Sequence, residues 1–398
     1  MVDLTTANNA LKEAYLSAAQ NQLNTKTNAL LAKIKQSSDN VVGKYIIKTA
    51  PIGINGGIGA GTETGNLPSS SGNTYKAFKV ALKNLYGKIE ISDKAIRAGQ
   101  NSAGAFINLL NAEMEGLLEA SKFNLSRMLY GDGSGLLGTV QSVSTTVATM
   151  DTVKGFVEGM LIDVYTSGSY SKTVTVTHVD RALKKITTSV GLTGSDTLYV
   201  QGSKDNEITG LKSIFDTNVT TLYGLTKASE TWLNPYVNTA GSAREISNNL
   251  IQSTIDTVDD LAGSTIDFIT CGYSVKRAYQ DYLTYYKSNA EILTLDGGFK
   301  SLSYSGIPIV SDKFVAEDEM YLLNTNNFTL HQLCDWEWLE GDNGNVLHQI
   351  ANKACYSATL VKYADLICDR PNGQAKIEKI SDTVANPLSI TIVSDPVE

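Results

Sequence analysis

GQNSAGAFINLLNAEMEGLLEASKFNLSRMLYGDGSGLLG, running from Gly99 to Gly138, is the most legible element of the chain. Apolar side chains stand at Phe106, Leu109, Leu110, Met114, Leu117, Leu118, Leu125, Met128 and Leu129. Steps of three and four residues place them on one stripe of a helix. Asn101 or Ser102 can cap its start, and Glu113, Glu115, Glu119, Lys122 and Arg127 are expected on the wet face. From Ser102 to Tyr130 the helix would run ~40 Å. That length suits a strut better than one core helix among equals. Gly131, Gly133 and Gly135 are expected to stop it, because glycine takes the left-handed conformation of a helix end without steric cost.

Upstream of the helix, GKIEISDKAI (Gly87 to Ile96) reads as a strand. Before it, VVGKYIIKTA predicts a strand from Val41 to Ala50, and a second returns from Tyr75 to Leu82. Between them lies PIGINGGIGAGTETGNLPSSSGNT, with glycine at 53, 56, 57, 59, 61, 65 and 72 and Glu63 as its one charge. This insert has too little apolar mass to fold on itself. The prediction is a long projecting hairpin, and since isolated hairpins are marginal in water, its order must come from packing on another molecule. Residues Leu4 to Ile34 predict a modest helix: its leucines recur at seven-residue spacing, but its asparagines compete for the backbone.

Downstream, Thr152 to Gly202 changes character. MLIDVYT, KTVTVTHVD, KKITTSV and DTLYVQG are β-branched runs between Gly/Ser turns, which predicts a small inserted barrel or sandwich of four to six strands. Then Ala243 to Leu261 predicts a helix, IDFITCG (Ile266 to Gly272) a buried strand and Ser274 to Tyr286 another helix. Strands follow at Gly306 to Val310 and Glu319 to Leu323. That order suggests a central sheet flanked by helices. A last long strand is expected from Lys353 to Cys368, and a peripheral polar tail beyond Ile380.

The chain has 398 residues, 42% hydrophobic and 19% charged, with net charge −8, enough to bury a sizeable core in two or three subdomains. The acidic balance argues against a surface devoted to DNA or anionic membrane. MVDLTTANNALKEAY shows no basic leader or apolar core region, and no apolar run reaches membrane-spanning length, so use in the cytosol or in something assembled there is expected. Cys271, Cys334, Cys355 and Cys368 stand singly and are expected as buried reduced thiols.

Catalytic signals are weak throughout. Gly133 to Gly138 matches G-x-G-x-x-G in letters, but it follows a helix and opens none, so no cofactor is expected. Asp335, Glu337, Glu340 and Asp342 could attract a hard cation. Their alternation with Trp336 and Trp338 reads better as a strand with one wet face. His178, His331 and His348 have no nearby nucleophile and are expected at the surface or hydrogen-bonded. No catalytic, metal or cofactor residue is assigned.

The glycine-flanked long helix ending in SRMLYGDGSGLLG, preceded by GKIEISDKAI, resembles the spine helix of tailed-phage major capsid proteins. ITGLKSIFD (Ile208 to Asp216), LYGLTKASETWLNP (Leu222 to Pro235), GGFKSLSYSGIPIVSDKF (Gly297 to Phe314) and the return segment from Leu347 to Pro371 agree in order, so the likeness spans about Gly43 to Ile380. The resemblance implies an α+β fold shared by tailed double-stranded DNA phages, herpesvirus capsid floors and encapsulins. It implies an N-arm at 1–43, an E-loop hairpin at 44–82 and a P-domain at 83–140 and 345–380, with its spine helix at 102–130. It further implies an A-domain at 141–344 with a β-rich insertion at 152–212, and a tail at 381–398. The helix would bury Phe106, Leu110, Met114, Leu117, Leu118 and Leu125. Gly53, Gly56, Gly57, Gly59, Gly61, Glu63 and Gly65 would lie on a neighbouring subunit.

The implied function is structural: pentamers and hexamers of this chain tile an icosahedral shell. The shell encloses double-stranded DNA without reading its sequence, as part of a virion assembled in a bacterial cytoplasm. A portal, a decoration protein and a separate scaffold protein are the expected partners, the last because few residues precede the first strand. Some relatives crosslink an E-loop lysine to a neighbour. Here no lysine lies between Thr49 and Tyr75, so a noncovalent shell is expected. The alternative within the fold is an encapsulin-like nanocompartment. Tail-sheath or surface-layer proteins would not need the single strut-like helix.

Overall fold

The computed structural model describes residues 28–53, 55–94, 103–286, 292–294, 300–341 and 344–384. The expected helix and arm before residue 28, the tail from 385, the caps Asn101 and Ser102, and Asp342 lie outside the described residues. So do the side chains of Phe106, Leu109 and Leu110. Tertiary contacts divide the chain into two units, Met1–Trp232 with Phe328–Asp369, and Leu233–Asn327 with Arg370–Glu398. The expected domain at 141–344 therefore does not coincide with a compact unit, because residues 141–232 fall in the same unit as the long helix.

In the first unit a short helix α1 (Ala29–Lys33) is capped by Asn28, whose side chain accepts from the Leu30 N–H at 2.7 Å. The long helix α2 spans Ala103–Tyr130. Met114, Leu118, Leu125, Met128 and Leu129 are buried and Leu117 half-buried, while Glu113, Glu115 and Glu119 are exposed. One expectation fails here. Arg127 is buried, because the whole last turn from Leu125 to Tyr130 is enclosed and no wet face remains.

The helix lies along a five-stranded sheet. β1 (Lys35–Ser37) pairs in parallel with β20 (Phe328–Trp338), β20 with β22 (Cys355–Cys368), and β22 with both β21 (His348–Gln349) and β5 (Lys83–Ser92). β5 starts four residues before the expected strand and alternates strictly. Leu85, Gly87, Ile89 and Ile91 point inward, and Asn84, Tyr86, Lys88 and Glu90 outward. A Cβ at Gly87 would meet Leu117 Cδ1 at 2.9 Å, so this glycine lets the helix settle on the strand.

After the helix the chain enters a closed barrel. Its strands are β6 (Leu136–Ser144), β7 (Val147–Met150), β8 (Leu161–Thr166), β9 (Ser169–Asp180), β10 (Lys185–Thr188) and β11 (Thr197–Val200), closing in the order β10-β7-β6-β11-β8-β9. Val140, Ile162, Val164, Val174, Val176, Ile186 and Leu198 fill it. The insertion expected at 152–212 opens sixteen residues early and ends before Gln201. The reason is visible in the sequence: LLGTVQSVSTTVATM already alternates, but abuts the helix stop. Entry and exit touch, since the Asp205 N–H donates to Ser134 O at 2.9 Å and a Cβ at Gly135 would lie 2.5 Å from Ser203 O. Gly133 and Gly135 are left-handed, at φ 80° and 77°, whereas Gly131 is not. The Gly133–Gly138 run leads into β6.

Beyond the barrel come the short helix α3 (Leu211–Phe215) and the two-residue strands β12 (Thr221–Leu222) and β13 (Leu225–Thr226). The second unit is a seven-stranded sheet in the order β14 (Tyr236–Asn238), β23 (Ala375–Ile377), β19 (Met320–Leu323), β15 (Phe268–Cys271), β18 (Ile307–Ser311), β17 (Lys300–Tyr304) and β16 (Ile292–Thr294). β15 is buried along its whole length. Helix α4 (Asn248–Ala262) starts later than expected, at its Ser247 cap, because Arg244 is held extended by a bridge to Ile380. Helix α5 (Tyr273–Tyr285) buries Val275, Ala278, Tyr279 and Leu283 in the same core. All four cysteines are free thiols. Cys271 and Cys368 are buried as expected, whereas Cys334 and Cys355 are only half-buried.

Candidate assembly arm and its seat

The arm is a three-stranded sheet of β2 (Val41–Val42), β3 (Tyr45–Gly53) and β4 (Thr74–Ala81). The single strand expected from Val41 to Ala50 is broken at Gly43, whose φ of 60° reverses the chain so that Val42 pairs with Tyr45. β3 and β4 run from the Tyr45↔Ala81 pair to Gly53↔Thr74. Farther out no strand is formed, yet the two limbs stay close. A Cβ at Gly57 would stand 3.3 Å from both Ser69 O and Ser71 N, and one at Gly59 3.1 Å from Pro68 Cγ. The glycines thus allow a narrow ribbon. Gly56, Gly61, Glu63 and Gly65 are exposed on it, as are Ile58 at 80% and Leu67 at 90%. An apolar side chain so bare, on a limb with no core beneath it, marks a surface that gains by being covered.

The base of the arm is anchored. Ile46, Ala50 and Phe78 are buried, and Phe78 stacks on Tyr223 with centroids 5.6 Å apart. Tyr223 and Gly224 form the turn between β12 and β13, both with positive φ (54° and 80°), the geometry of a tight hairpin turn. The phenol reaches the end of β22, where its oxygen accepts the Cys368 N–H at 2.9 Å. Burial pushes the Tyr223 hydroxyl well above its usual pKa, so it stays protonated. Two ion pairs flank the base, Lys48 to Asp369 at 2.6 Å and Lys76 to Glu230 at 2.7 Å. Tyr223→Phe keeps the stacking but removes the hydroxyl that accepts the Cys368 N–H. A loss of about 1–3 kcal/mol is expected in urea unfolding, and an unchanged midpoint would contradict the anchor.

Nothing in residue type singled out Tyr223. Its one local signal is the Tyr-Gly pair in LYGLT between two β-prone residues on each side. The acidic run behaves as a half-wet strand: Trp336 and Trp338 are buried, while Glu337 and Glu340 are exposed. Asp335 instead turns to Lys362, whose fully buried ammonium lies 2.9 Å from Asp335 Oδ1 and 3.0 Å from Gln36 Oε1. Desolvation lowers the Lys362 pKa, opposed by Asp335. His178 bonds Glu158 at the surface and His348 bonds Leu339 O. His331, expected at the surface or hydrogen-bonded, is 1% exposed and bonds Asp39 O. Among the described residues, no group of three or more His, Cys, Asp or Glu is placed to share a metal ion, and no helix is long and apolar enough to cross a membrane.

No protein-family model and no curated protein matches the sequence. Among solved structures, the capsid asymmetric unit of cyanophage A-1(L) is similar with a TM-score of 0.53 at 13% identity, over 90% of this chain and 92% of that one. An encapsulin complex from Synechococcus elongatus has a TM-score of 0.46 at 9% identity, over 89% and 88% of the two chains. The capsid of a native GTA particle has 0.46 at 11%, over 89% and 91%. The first of these carries the fold: this chain has the mixed α and β fold of a phage capsid subunit.

Proposed function

We propose that this chain is the major capsid protein of a tailed double-stranded DNA phage or prophage. The observation that carries the reading is an arm, on a chain of that fold, whose base is anchored by buried contacts and whose ribbon presents Ile58 and Leu67 to nothing of its own. An extended limb that fits the next copy makes a heterologous contact, and such contacts close into rings and shells. In this reading the hairpin at 44–82 is the E-loop, α2 the spine of the P-domain, and the barrel a surface insertion. Pentamers and hexamers form the shell with a separate scaffold, a portal and a decoration protein. It is filled in the bacterial cytoplasm with DNA that it does not read. The role is mechanical, with no reaction to catalyse.

Lys48 and Lys76, the lysines nearest the ribbon, already hold carboxylates, and no lysine lies between Thr49 and Tyr75, so the shell is held noncovalently. The test is expression alone and with the neighbouring gene products, followed by sedimentation and negative-stain microscopy. Closed shells or ring-shaped capsomers are expected, dissolving to single chains on a denaturing gel. Ile58→Ser with Leu67→Ser removes two apolar contacts of about 1.5–3 kcal/mol each and should cut assembly more than tenfold while leaving the monomer folded. A strictly monomeric wild-type protein under every condition would sink the reading.

A further inference from the structure

We propose that the seat of the projecting arm is a proton-operated latch, with the buried imidazole of His331 as its sensor. Its consequence for shell assembly rests on the reading above, but the latch itself does not. His331 lies in the middle of the sheet, opposite Ser37 of β1 on one side and Asp365 of β22 on the other. It is 1% exposed. Its Nδ1–H donates to Asp39 O at 2.9 Å, in the turn that leads from β1 into the arm. Asn40, next in that turn, accepts the Ile47 N–H of β3 at 2.9 Å. The imidazole, the turn and the first strand of the arm are therefore one connected chain of bonds.

With Nδ1 donating, neutral His331 leaves Nε2 as a bare acceptor, and that atom is buried with no hydrogen-bond partner among the described residues. An apolar-like environment tolerates a bare acceptor better than a new cation. A second proton would create both a charge and an unsatisfied N–H at a closed position. The charged groups around the ring come from every element packed on it. Lys48 of β3 repels a proton, whereas Asp39 of the turn and Asp369 after β22 attract one. Asp365 is the register partner of His331 across the ladder. Burial is the largest influence and Lys48 the next, so the imidazole titrates below its ordinary range. Lys48 itself is held at 2.6 Å by Asp369, so the arm brings the repelling charge with it when it seats.

The sign of the effect follows. A histidine whose folded pKa is depressed contributes stability that is complete above its unfolded value of 6.5 and is lost as pH falls through the folded one. Acid therefore drives the opening that lets water reach Nε2, and the cheapest opening is loss of β1, a three-residue edge strand, together with the Asp39–Asn40 turn. Asp365 works in the opposite sense. Burial pushes its carboxyl up to about 6, so its protonated form is favoured in the fold and stabilises as pH falls below that value. Asp365 is bonded to Thr209, away from the turn, and so should not reverse the local release.

Hydrogen exchange of the full chain at pH 7.5 and 5.5, corrected for the intrinsic rate, tests the latch. Amides of residues 35–48 should exchange faster at pH 5.5 than at pH 7.5, by up to about tenfold, while amides of β8 and β9 in the barrel stay protected. His331→Asn keeps a donor for Asp39 O but cannot titrate, and should abolish the acid response; Asp365→Asn should retain it. Equal protection of 35–48 at both pH values would overturn the latch, as would a full acid response in His331→Asn. If that variant does not fold, the ring carbon resonances of His331 in the wild type decide: titration near 6.5 with residues 35–48 still protected overturns the proposal.

Discussion

Gly210→Ala abolishes folding, or lowers stability by more than about 4 kcal/mol. A Cβ at Gly210 would stand 2.3 Å from Met128 O, 2.4 Å from Gly131 O and 2.8 Å from Gly131 N. All three are backbone atoms at the C-terminal end of α2, so no rotamer change can make room. The strain is purely steric, because Gly210 has φ −89° and ψ 179°, a conformation open to any residue. What the glycine provides is contact. Ile208 to Leu211 passes directly over the last turn of α2, and the helix end is enclosed because that crossing is so close. Gly116→Ala is the matched control. It lies inside the same helix, exposed, with nothing within 4 Å of the added carbon. It should stabilise by about 0.5–1 kcal/mol through helix propensity. Thermal unfolding of the two variants beside the wild type checks both signs. A melting temperature for Gly210→Ala within experimental error of the wild type would show that the segment does not cross the helix as described.

Glu207→Ala costs about 3–5 kcal/mol. Glu207 and Arg127 form an ion pair with side chains 2% and 8% exposed, and the guanidinium is also held by Asn124 Oδ1, at 2.7 Å from Nη2. Removing the carboxylate leaves a guanidinium in an enclosed site with only a neutral amide for company. The cost is that of an uncompensated buried charge, which is larger than the net worth of the intact pair. Arg127→Met with Glu207→Leu should therefore recover most of the loss, since the pair is then replaced by apolar volume. A double-mutant cycle in urea measures the difference. Equal destabilisation by the single and the double variants would mean that the pair's shape, not its charge balance, holds the end of the helix.

These two variants converge on the same junction, and neither Gly210 nor Glu207 carries a local signal of the contact it makes there. The periodic apolar steps from Met114 to Leu129 made the long helix evident, and the run from Gly87 to Ile96 pointed to the strand beneath it, which starts four residues earlier, at Lys83. The glycine run between two β-prone segments predicted an arm that needs a partner. Each of these rests on spacings of two, three or four residues, which the backbone geometry of helix and strand imposes locally.

Much of what was misjudged or missed depends on residues far apart in the chain. Arg127 reads as a surface residue on a helical wheel, and becomes buried only because Glu207 returns from the far side of a barrel to meet it. Tyr223 is one tyrosine among nineteen until β22 brings Cys368 under its hydroxyl. His331 has no local partner at all, and gains its role from Asp39, Lys48 and the buried ladder around it. The barrel's true start at Leu136 was hidden because nothing local separates its first strands from the helix stop. Short-range patterning decided which faces of this protein are apolar and where the chain bends. Only the tertiary structure decided which polar groups lose their water, because desolvation depends on what packs on a residue, and that comes from elsewhere in the sequence.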